Sequence, residues 1–381
     1  YDYIELTYDR DIAHSAIYSY SYTYTNNRRI WLPFSNYGNG TTIEWADGNV
    51  TYKEGAISSS DTSFDTDVSI QTSAFDAGST ITIKVYGDVK SFLGKIVHAN
   101  STSRDNRVFW SNTALKSVKI VGMSSITNCN FAFSNAINLE SVDLTEFDSS
   151  NVTNMSYMFY NCTSIETIDF TGSNDVSKVT SFYGTFYNCS SLTDLNISTW
   201  QTNDATSMTS MFRGCSDLPY IAPSSDANRA NAEFVLNTTK VTDMTYMFNG
   251  CSSLVKLHPT NWDTSAVKEM DYMFDGCSSL TFVDLGEWDV SNTTGGLESS
   301  NGMTYMFNGC SSLDNDGVNF SKWCVSQYSD EPRNFRANGT LFVEKPDWGY
   351  ACENKTPGPI SVPPYDYIEL TYDRDIAHNA I

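Results

Sequence analysis

The sequence predicts a mainly β protein with short helical turns: an immunoglobulin-like β-sandwich, then a leucine-rich-repeat solenoid, then a disulfide-closed cap. Three observations predict this fold class. Period-two hydrophobic alternation fills the first hundred residues, the phrase Met-Phe-x-x-Cys-x-x-Leu recurs through the middle of the chain, and two cysteines lie beyond the repeat. At 381 residues the chain is too long for one compact core, so more than one domain is expected.

The first domain, 1–105, is predicted to be the β-sandwich. Apolar and polar residues alternate in 4–8, 29–34 and 80–86, which predicts strands there. Short strands separated by Gly, Asn and Ser turns are typical of an immunoglobulin-like sandwich. Placed before the solenoid, this domain would cover the open apolar end of the first coil.

A hairpin and an acidic loop are also predicted within this domain. The hairpin pairs 42–45 with 50–52 and has Asp47 and Gly48 in its turn. The acidic residues are a candidate calcium loop, although they lack the glycine and terminal glutamate of an EF-hand. A solvated loop without a cation is the alternative. The residues of this loop are Asp61, Asp65 and Asp67.

The second domain, 106–323, carries the repeat. From Phe133 onward the repeat phenylalanines are spaced by 26, 27, 26, 36, 26 and 33 residues. A period in the twenties with a Leu-x-x-Leu-x-Leu pattern indicates a leucine-rich-repeat solenoid. One coil cannot bury its own apolar face, so about eight coils are expected to stack on a shared core, with short helical or 3₁₀ turns on the methionine side.

Eight of the nine cysteines fall into two groups, and the ninth, Cys129, lies in the methionine column of the repeat. Six occupy one column of the repeat, and we expect them to be reduced, buried and apolar, because one thiol per coil does not form a metal cluster. The members of this cysteine column are Cys162, Cys189, Cys215, Cys251, Cys277 and Cys310. Cys324 and Cys352 lie beyond the repeat and are predicted to form a disulfide in a cap spanning 324–354.

A corner position lies fourteen residues after the repeat phenylalanine, and it is aromatic in most copies and Ser173 in one. These residues either pack between coils or form an exposed stripe that stacks on sugars. The corner residues are Phe147, Trp200, Trp262, Trp288 and Trp323.

Residues 1–17 and 365–381 match at sixteen of seventeen positions. We interpret the 364-residue stretch as one unit of a tandem array, with 355–364 as a proline-rich linker and 365–381 as the start of the next unit. An artificially duplicated end is the alternative. Head-to-tail contact by strand addition at a sheet edge is expected to involve both copies. The candidate contact residues are Tyr1, Tyr3, Ile4, Leu6, Tyr8, Tyr365, Tyr367, Ile368, Leu370 and Tyr372.

Charge and sequons bear on location. A net charge of −22 argues against nucleic-acid partners and anionic membranes. The sequence contains no run of 18 apolar residues, so we expect no membrane insertion. The many Asn-x-Ser/Thr sequons predict an extracellular or cell-surface glycoprotein. The candidate glycosylation sites are Asn39, Asn49, Asn100, Asn151, Asn196, Asn237, Asn292, Asn338 and Asn354.

The repeat resembles a known family. Met-Phe-x-x-Cys-Ser-Ser-Leu at 247–254, with Trp-Asp-x-Ser-x-Val-x-x-Met at 262–270, resembles the BspA-like leucine-rich-repeat surface proteins over about 109–313. The segment 44–48 resembles the Trp-x-Asp-Gly turn of the polycystic-kidney-disease-like sandwich, with Ala46 in place of the usual Gly. This resemblance implies extracellular display, adhesion or matrix binding, and no enzyme activity.

Two functions remain after the motif search. No His-Glu-x-x-His, Gly-x-Ser-x-Gly or phosphate-binding glycine loop is present, so we expect no catalytic residue, no metal centre and no cofactor besides the calcium considered above. The leading hypothesis is a structural subunit of an extracellular fibre or appendage, whose partners are copies of itself. The alternative is an adhesin that recognises a glycoprotein or polysaccharide through the solenoid.

Overall fold

The protein is mainly β with almost no helix in the part described. The computed structural model describes residues 3–9, 29–31, 34–37, 41–47, 50–57, 69–71, 80–86, 89–92, 113–170, 175–222, 226–259, 261–294, 302–320, 323–336, 341–342 and 345–348. The strands are β1 (Tyr3–Asp9), β2 (Arg29–Trp31), β3 (Phe34–Tyr37), β4 (Thr41–Asp47), β5 (Val50–Ile57), β6 (Ser69–Gln71), β7 (Thr80–Tyr86), β8 (Val89–Phe92), β9 (Leu115–Gly122), β10 (Ser141–Phe147), β11 (Thr167–Asp169), β12 (Asp194–Asn196), β13 (Lys256–Leu257) and β14 (Phe282–Val283). A 3₁₀ helix spans Arg229–Asn231.

The strands predicted at 4–8 and 80–86 are observed as β1 and β7, whereas the strand predicted at 29–34 is divided into β2 and β3, which belong to different sheets. The predicted hairpin is observed with one shift. β4 and β5 pair antiparallel as far as Asp47 opposite Val50. Asp47 therefore belongs to β4 and not to the turn, and the two-residue loop 48–49 lies outside the described residues. The longer ladder satisfies more backbone groups than the four-residue loop that the sequence indicates.

One eight-stranded sheet runs from the N-terminal strands into the repeat. Its order is β12-β11-β10-β9-β1-β7-β4-β5. β1 pairs antiparallel with β7 on one side and with β9, the strand of the first coil, on the other. The N-terminal strands are thus joined to the coils by backbone hydrogen bonds, where the sequence indicates only a domain covering the first coil.

The coils stack in parallel, one above the next. β10 pairs parallel with β9 and β11, and β13 with β14. On another side of each coil, single parallel bridges link successive coils from Asn128 through Glu269. Every one of these contacts joins residues one repeat apart, which is the arrangement that the spacing of the motif predicts.

The methionine-rich side of each coil is a ribbon of turns. In one coil the N–H groups of Tyr157 and Phe159 donate to the next coil, whereas that of Met158 donates to the carbonyl of Met155, three residues back. These three-residue steps are the 3₁₀-type bonds expected from the sequence. Because alternate N–H groups point to the neighbouring coil, the bonds close separate turns and no continuous helix forms.

The repeat phenylalanines stack along the centre of the coils. Their ring centroids lie 5.4–5.9 Å apart from one coil to the next. All are buried, together with the leucines and methionines around them. The members of this phenylalanine column are Phe133, Phe159, Phe186, Phe212, Phe248, Phe274 and Phe307.

Candidate binding face

The cysteine column lies inside the stack. Each of its six side chains is at most 1% exposed, and each thiol donates to the carbonyl of a repeat phenylalanine in the preceding coil at 3.1–3.2 Å. Burial raises the pKa of the Cys251 thiol to about 12. A protonated thiol is a small donor for a buried carbonyl and a poor nucleophile, so this column serves packing and not chemistry.

Only one of the two cysteines of the predicted disulfide lies within the described residues. Seven cysteines, those of the column and Cys129, have free, buried thiols. Cys324 is not one of these seven, and Cys352 lies outside the described residues. The pairing of Cys324 with Cys352 therefore stays a prediction.

The first copy of the duplicated segment forms β1, an internal strand. Ile4, Leu6 and Tyr8 are fully buried, and Tyr3 is half-buried. Because β7 and β9 occupy both of its edges, β1 offers no free edge to a neighbour. This corrects the expected strand addition at a sheet edge. Tyr1 and the predicted contact residues of the second copy lie outside the described residues.

Four of the nine candidate glycosylation sites can be placed. Asn151 and Asn292 are exposed, and their side-chain amides donate to the preceding coil, to Ser124 O at 2.9 Å and Ser265 O at 2.6 Å. Asn196 and Asn237 are half-buried, and their side-chain oxygens accept from the backbone two residues later. The remaining five lie outside the described residues: Asn39, Asn49, Asn100, Asn338 and Asn354.

The acidic residues considered for calcium, Asp61, Asp65 and Asp67, also lie outside the described residues. Within the described part of the chain, no three His, Cys, Asp or Glu side chains are grouped so that they could hold a metal ion.

The corner aromatics are buried, so an exposed stripe at these positions is wrong. Each corner side chain is at most 4% exposed, from Phe147 to Trp323. Trp262 and Trp288 stack at 5.7 Å, and the indole N–H of Trp262 donates to Phe234 O at 2.9 Å. Packing between coils removes each ring from water and leaves no face for a sugar.

A different aromatic row lies on the outside of the stack, which sequence reasoning missed. We call it the tyrosine ladder. Its rings stand one per coil with centroids 4.6–4.9 Å apart within two runs. Most of the members are half-buried. They are Phe131, Tyr157 and Tyr183 in the first run, and Tyr246, Tyr272 and Tyr305 in the second.

The ladder depends on an uncommon backbone conformation. Tyr157, Tyr246, Tyr272 and Tyr305 have φ between 56° and 59°, in the left-handed region. A bulky residue there costs about 1–2 kcal/mol. The turn ribbon imposes this conformation in each coil, and stacking of neighbouring rings, about 0.5–1.5 kcal/mol per pair, offsets part of the cost.

An arginine lies beside the start of the second run. In the coil between them the left-handed position is Ser210, and the Arg213 guanidinium lies 4.4 Å from the Tyr246 ring centroid and 5.2 Å from that of Tyr187. At the far end, Arg333 lies 5.9 Å from the Tyr305 centroid. Cation–π contacts of this kind contribute about 0.5–1 kcal/mol at exposed sites.

A polar row continues the column of Arg213 along later coils. Asn249 and Asn308 donate to opposite carboxylate oxygens of Asp275, at 2.9 and 2.6 Å. Burial raises the pKa of the Asp275 carboxyl, and these two amide donors partly counter the rise. The face thus combines a stacked aromatic row, a cation and a tightly held acid.

This geometry limits how the face can bind. Within each run the rings of the ladder lie against one another, so their flat faces are largely occupied. Burial raises the pKa of Tyr157, Tyr246 and Tyr272, which keeps the phenols protonated. A row packed in this way leaves little ring face free for a ligand, and five of its six members carry a phenol hydroxyl. The available signal was Tyr before Met-Phe in four copies, as at Tyr157.

Comparison with known proteins gives the following. The chain matches the family described as "Mycoplasma protein of unknown function, DUF285" over residues 104–221 and 224–347. No curated protein matches it. Among solved structures, a leucine-rich repeat protein from Bacteroides ovatus ATCC 8483 is similar at a TM-score of 0.22 and 15% identity, over 64% of this chain and 87% of that one. Within the described residues, no helix has the length and apolar character to cross a membrane.

Proposed function

We propose that this chain, which belongs to the DUF285 family of Mycoplasma proteins of unknown function, is a non-enzymatic structural subunit of an extracellular fibre or surface appendage. In this proposal tandem 364-residue units are joined head to tail. One observation carries it: the sequence of β1, Tyr3–Asp9, recurs residue for residue at 367–373. A segment that completes the sheet of one unit is what a following unit would need.

Three other features support the proposal without testing it. The thiols and corner aromatics, which could serve chemistry or sugar binding, are used in packing. The resemblance of the repeat to BspA-like surface proteins, and of 44–48 to a polycystic-kidney-disease-like sandwich, favours extracellular display. A Cys324–Cys352 disulfide closing the cap would suit an oxidising compartment.

The test is the size and shape of the native material. We expect a native polypeptide whose mass is a multiple of one unit, and negative-stain images of beads on a filament. A single native species near 42.5 kDa, imaged as isolated particles, would contradict the tandem array.

An adhesin is the second candidate, and the tyrosine ladder favours it. A row of tyrosine side chains with the Arg213 guanidinium beside it suits a partner rich in hydroxyl and carboxyl groups, such as a polysaccharide or glycoprotein laid along the stack. Fibre and adhesin are compatible, because a fibre built of such units would repeat the same face many times.

Binding by matched variants tests this candidate. We expect saturable binding in a glycan and matrix-protein screen, weakened about tenfold, or 1.4 kcal/mol, by Tyr272→Ala. Thr281→Ala is the control, because Thr281 is exposed next to the short strand β14, away from the ladder. Equal affinity of both variants, or no saturable binding by the unaltered chain, counts against an adhesin that uses this face.

A further inference from the structure

We propose that the tyrosine ladder is a site of oxidative cross-linking, at which hydrogen peroxide and a haem peroxidase join tyrosines of successive coils as dityrosine. The new bond links two phenol rings of the same chain. The inference concerns a single unit, so it holds or fails independently of the tandem array and of the adhesin proposed above.

The rings of the second run are placed for coupling. Tyr246 and Tyr272 lie 4.7 Å apart between centroids at an interplanar angle of 16°, and Tyr272 and Tyr305 lie 4.8 Å apart at 6°. All three occupy equivalent positions of the turn ribbon, with φ of 57–59°. The stack therefore holds each phenol ring beside the next one before any oxidant arrives, which removes the entropic cost of bringing two tyrosines together.

A pair in the first run is held in a second way. The ring centroids of Tyr157 and Tyr183 lie 4.9 Å apart. Burial, and next a hydrogen bond with the Tyr183 phenol, raise the pKa of Tyr157. Dityrosine forms between the ring carbons that neighbour each phenol oxygen. A hydrogen bond between the two oxygens therefore places the reacting carbons of this pair close together.

The surrounding side chains direct an oxidant to the tyrosines. The methionines of the repeat and the thiols of the cysteine column are at most 1% exposed, and the corner indoles at most 4%. Tyr183 is 36% exposed, and Tyr246 and Tyr272 are half-buried. Oxidation of sulfur follows exposure and thiolate character, and the column thiols lack both. Among these oxidisable side chains of the described coils, the ladder tyrosines are the ones open to solvent.

The cross-linking step balances with peroxide as the oxidant. The peroxidase removes one electron from each of two stacked phenols, and each phenol releases its proton. The two phenoxyl radicals form a C–C bond between their ortho carbons, and the hydrogen on each of these carbons then moves to the phenol oxygen. The two electrons and two protons reduce one hydrogen peroxide to two molecules of water.

Such a bond fastens one coil to the next. Tyr246 and Tyr272 are 26 residues apart in sequence and belong to successive coils. A covalent link between them shortens the loop that is free in the unfolded chain, as a disulfide does. The oxidised protein should therefore melt at a higher temperature than the untreated protein.

The first test treats the full chain with a haem peroxidase and hydrogen peroxide and maps the products by mass spectrometry of peptides. We expect Tyr246 joined to Tyr272, or Tyr272 to Tyr305, with the loss of two hydrogens. The yield per chain should stay constant on dilution. Tyr220 is the internal control, because it is half-buried and its one ring contact among the described residues is with Arg229. It should give about tenfold less cross-link, since no second tyrosine is held beside it.

A variant separates coupling from general oxidation. Tyr272→Phe removes the phenol oxygen and keeps the ring in the stack, so both links of Tyr272 should disappear while the Tyr157–Tyr183 link remains. Tyr183→Phe is the reciprocal variant, and it should remove the Tyr157–Tyr183 link and leave those of the second run. Equal melting temperatures of the two variants before oxidation show that both are folded.

The proposal is overturned if the ladder tyrosines of the unaltered chain give no more cross-link than Tyr220. It is also overturned if their yield falls in proportion to protein concentration, because the links then arise from encounters between chains. Neither result bears on the mass of the native polypeptide or on glycan binding, which test the tandem array and the adhesin.

Discussion

At the scale of single residues, the left-handed positions are the least expected feature. One such position precedes the repeat Met-Phe in each coil, and side chains as large as tyrosine occupy it at Tyr157 and Tyr272. Gly184 occupies it in the coil after Tyr157, with φ of 57°. A Cβ at Gly184 would lie 2.8 Å from the Tyr157 ring, so the close stacking of the ladder requires glycine there.

Gly184→Ala is therefore expected to destabilise the protein by about 1–2 kcal/mol, through backbone strain and displacement of the Tyr157 ring. Gly286→Ala is the matched control, since its added Cβ would meet only ordinary contacts at 3.6 and 3.7 Å. Urea denaturation of both variants measures the difference. Equal midpoints would show that the ring moves aside without cost.

At the scale of elements, each coil has an inner and an outer aromatic column on one short ribbon. In one coil Phe248 points inward and is fully buried, whereas Tyr246, two residues earlier, is half-buried in the ladder. Phe248 stacks on both Phe212 and Phe274, at 5.4 and 5.5 Å. The inner column should therefore carry most of the stability, and the outer column should be open to variation.

Phe248→Ala is expected to cost about 3–5 kcal/mol, because it leaves a cavity between two coils. Tyr246→Ala in the same coil should cost about 1–2.5 kcal/mol, for the loss of one stacking contact with Tyr272 and one cation–π contact with Arg213. Urea midpoints of the two variants test this order. A larger loss for Tyr246→Ala would mean that the outer ladder, and not the phenylalanine column, holds the coils together.

At the scale of the whole molecule, the net charge of −22 dominates the electrostatics. Lys116 pairs with Glu140 and Lys119 with Asp143, each at 2.6 Å, and these pairs lie near the surface. Exposed pairs contribute about 0–1 kcal/mol each, so they offset little of the repulsion among the remaining acids. The folded state should then be more stable where this repulsion is screened.

We expect the melting temperature to rise by roughly 2–4 °C, or about 1 kcal/mol, between 0.01 and 0.15 M sodium chloride. Over this range the Debye length falls from about 30 to 8 Å. Potassium chloride at the same ionic strength is the control and should give the same rise. A fall in melting temperature with salt would show that the local ion pairs outweigh the general repulsion.

Much of the repeat could be predicted from the sequence, because the residues that become buried recur at a regular spacing. The spacing of Phe133 and its successors predicts stacked coils. The turns on the methionine side could be predicted, but the hydrogen bonds that they make to the next coil could not, since no local pattern indicates a partner one repeat away. The place of β1 was missed for the same reason: its alternation predicts a strand, but β9 as a partner lies more than a hundred residues along the chain.

The tyrosine ladder was hidden for a different reason. The residue before each Met-Phe varies, with Gly184 and Ser210 interrupting the tyrosines. Its regularity becomes visible only once the coils are in register. Arg213, which contacts the Tyr246 ring, comes from a neighbouring column of the repeat. Surface rows tolerate exchange between aromatic and cationic side chains, whereas the core does not, and so their pattern in sequence is weaker.

The phenylalanine spacing has a consequence for how such molecules diversify. Phe212 and Phe248 are 36 residues apart in sequence, against 26 for Phe248 and Phe274, yet the centroid distances are 5.4 and 5.5 Å. The ten additional residues are therefore accommodated without widening the distance between the two phenylalanine rings. Related proteins could therefore vary the length and sequence of this insert. The residues exposed there would change, while the stacked phenylalanine column would be retained.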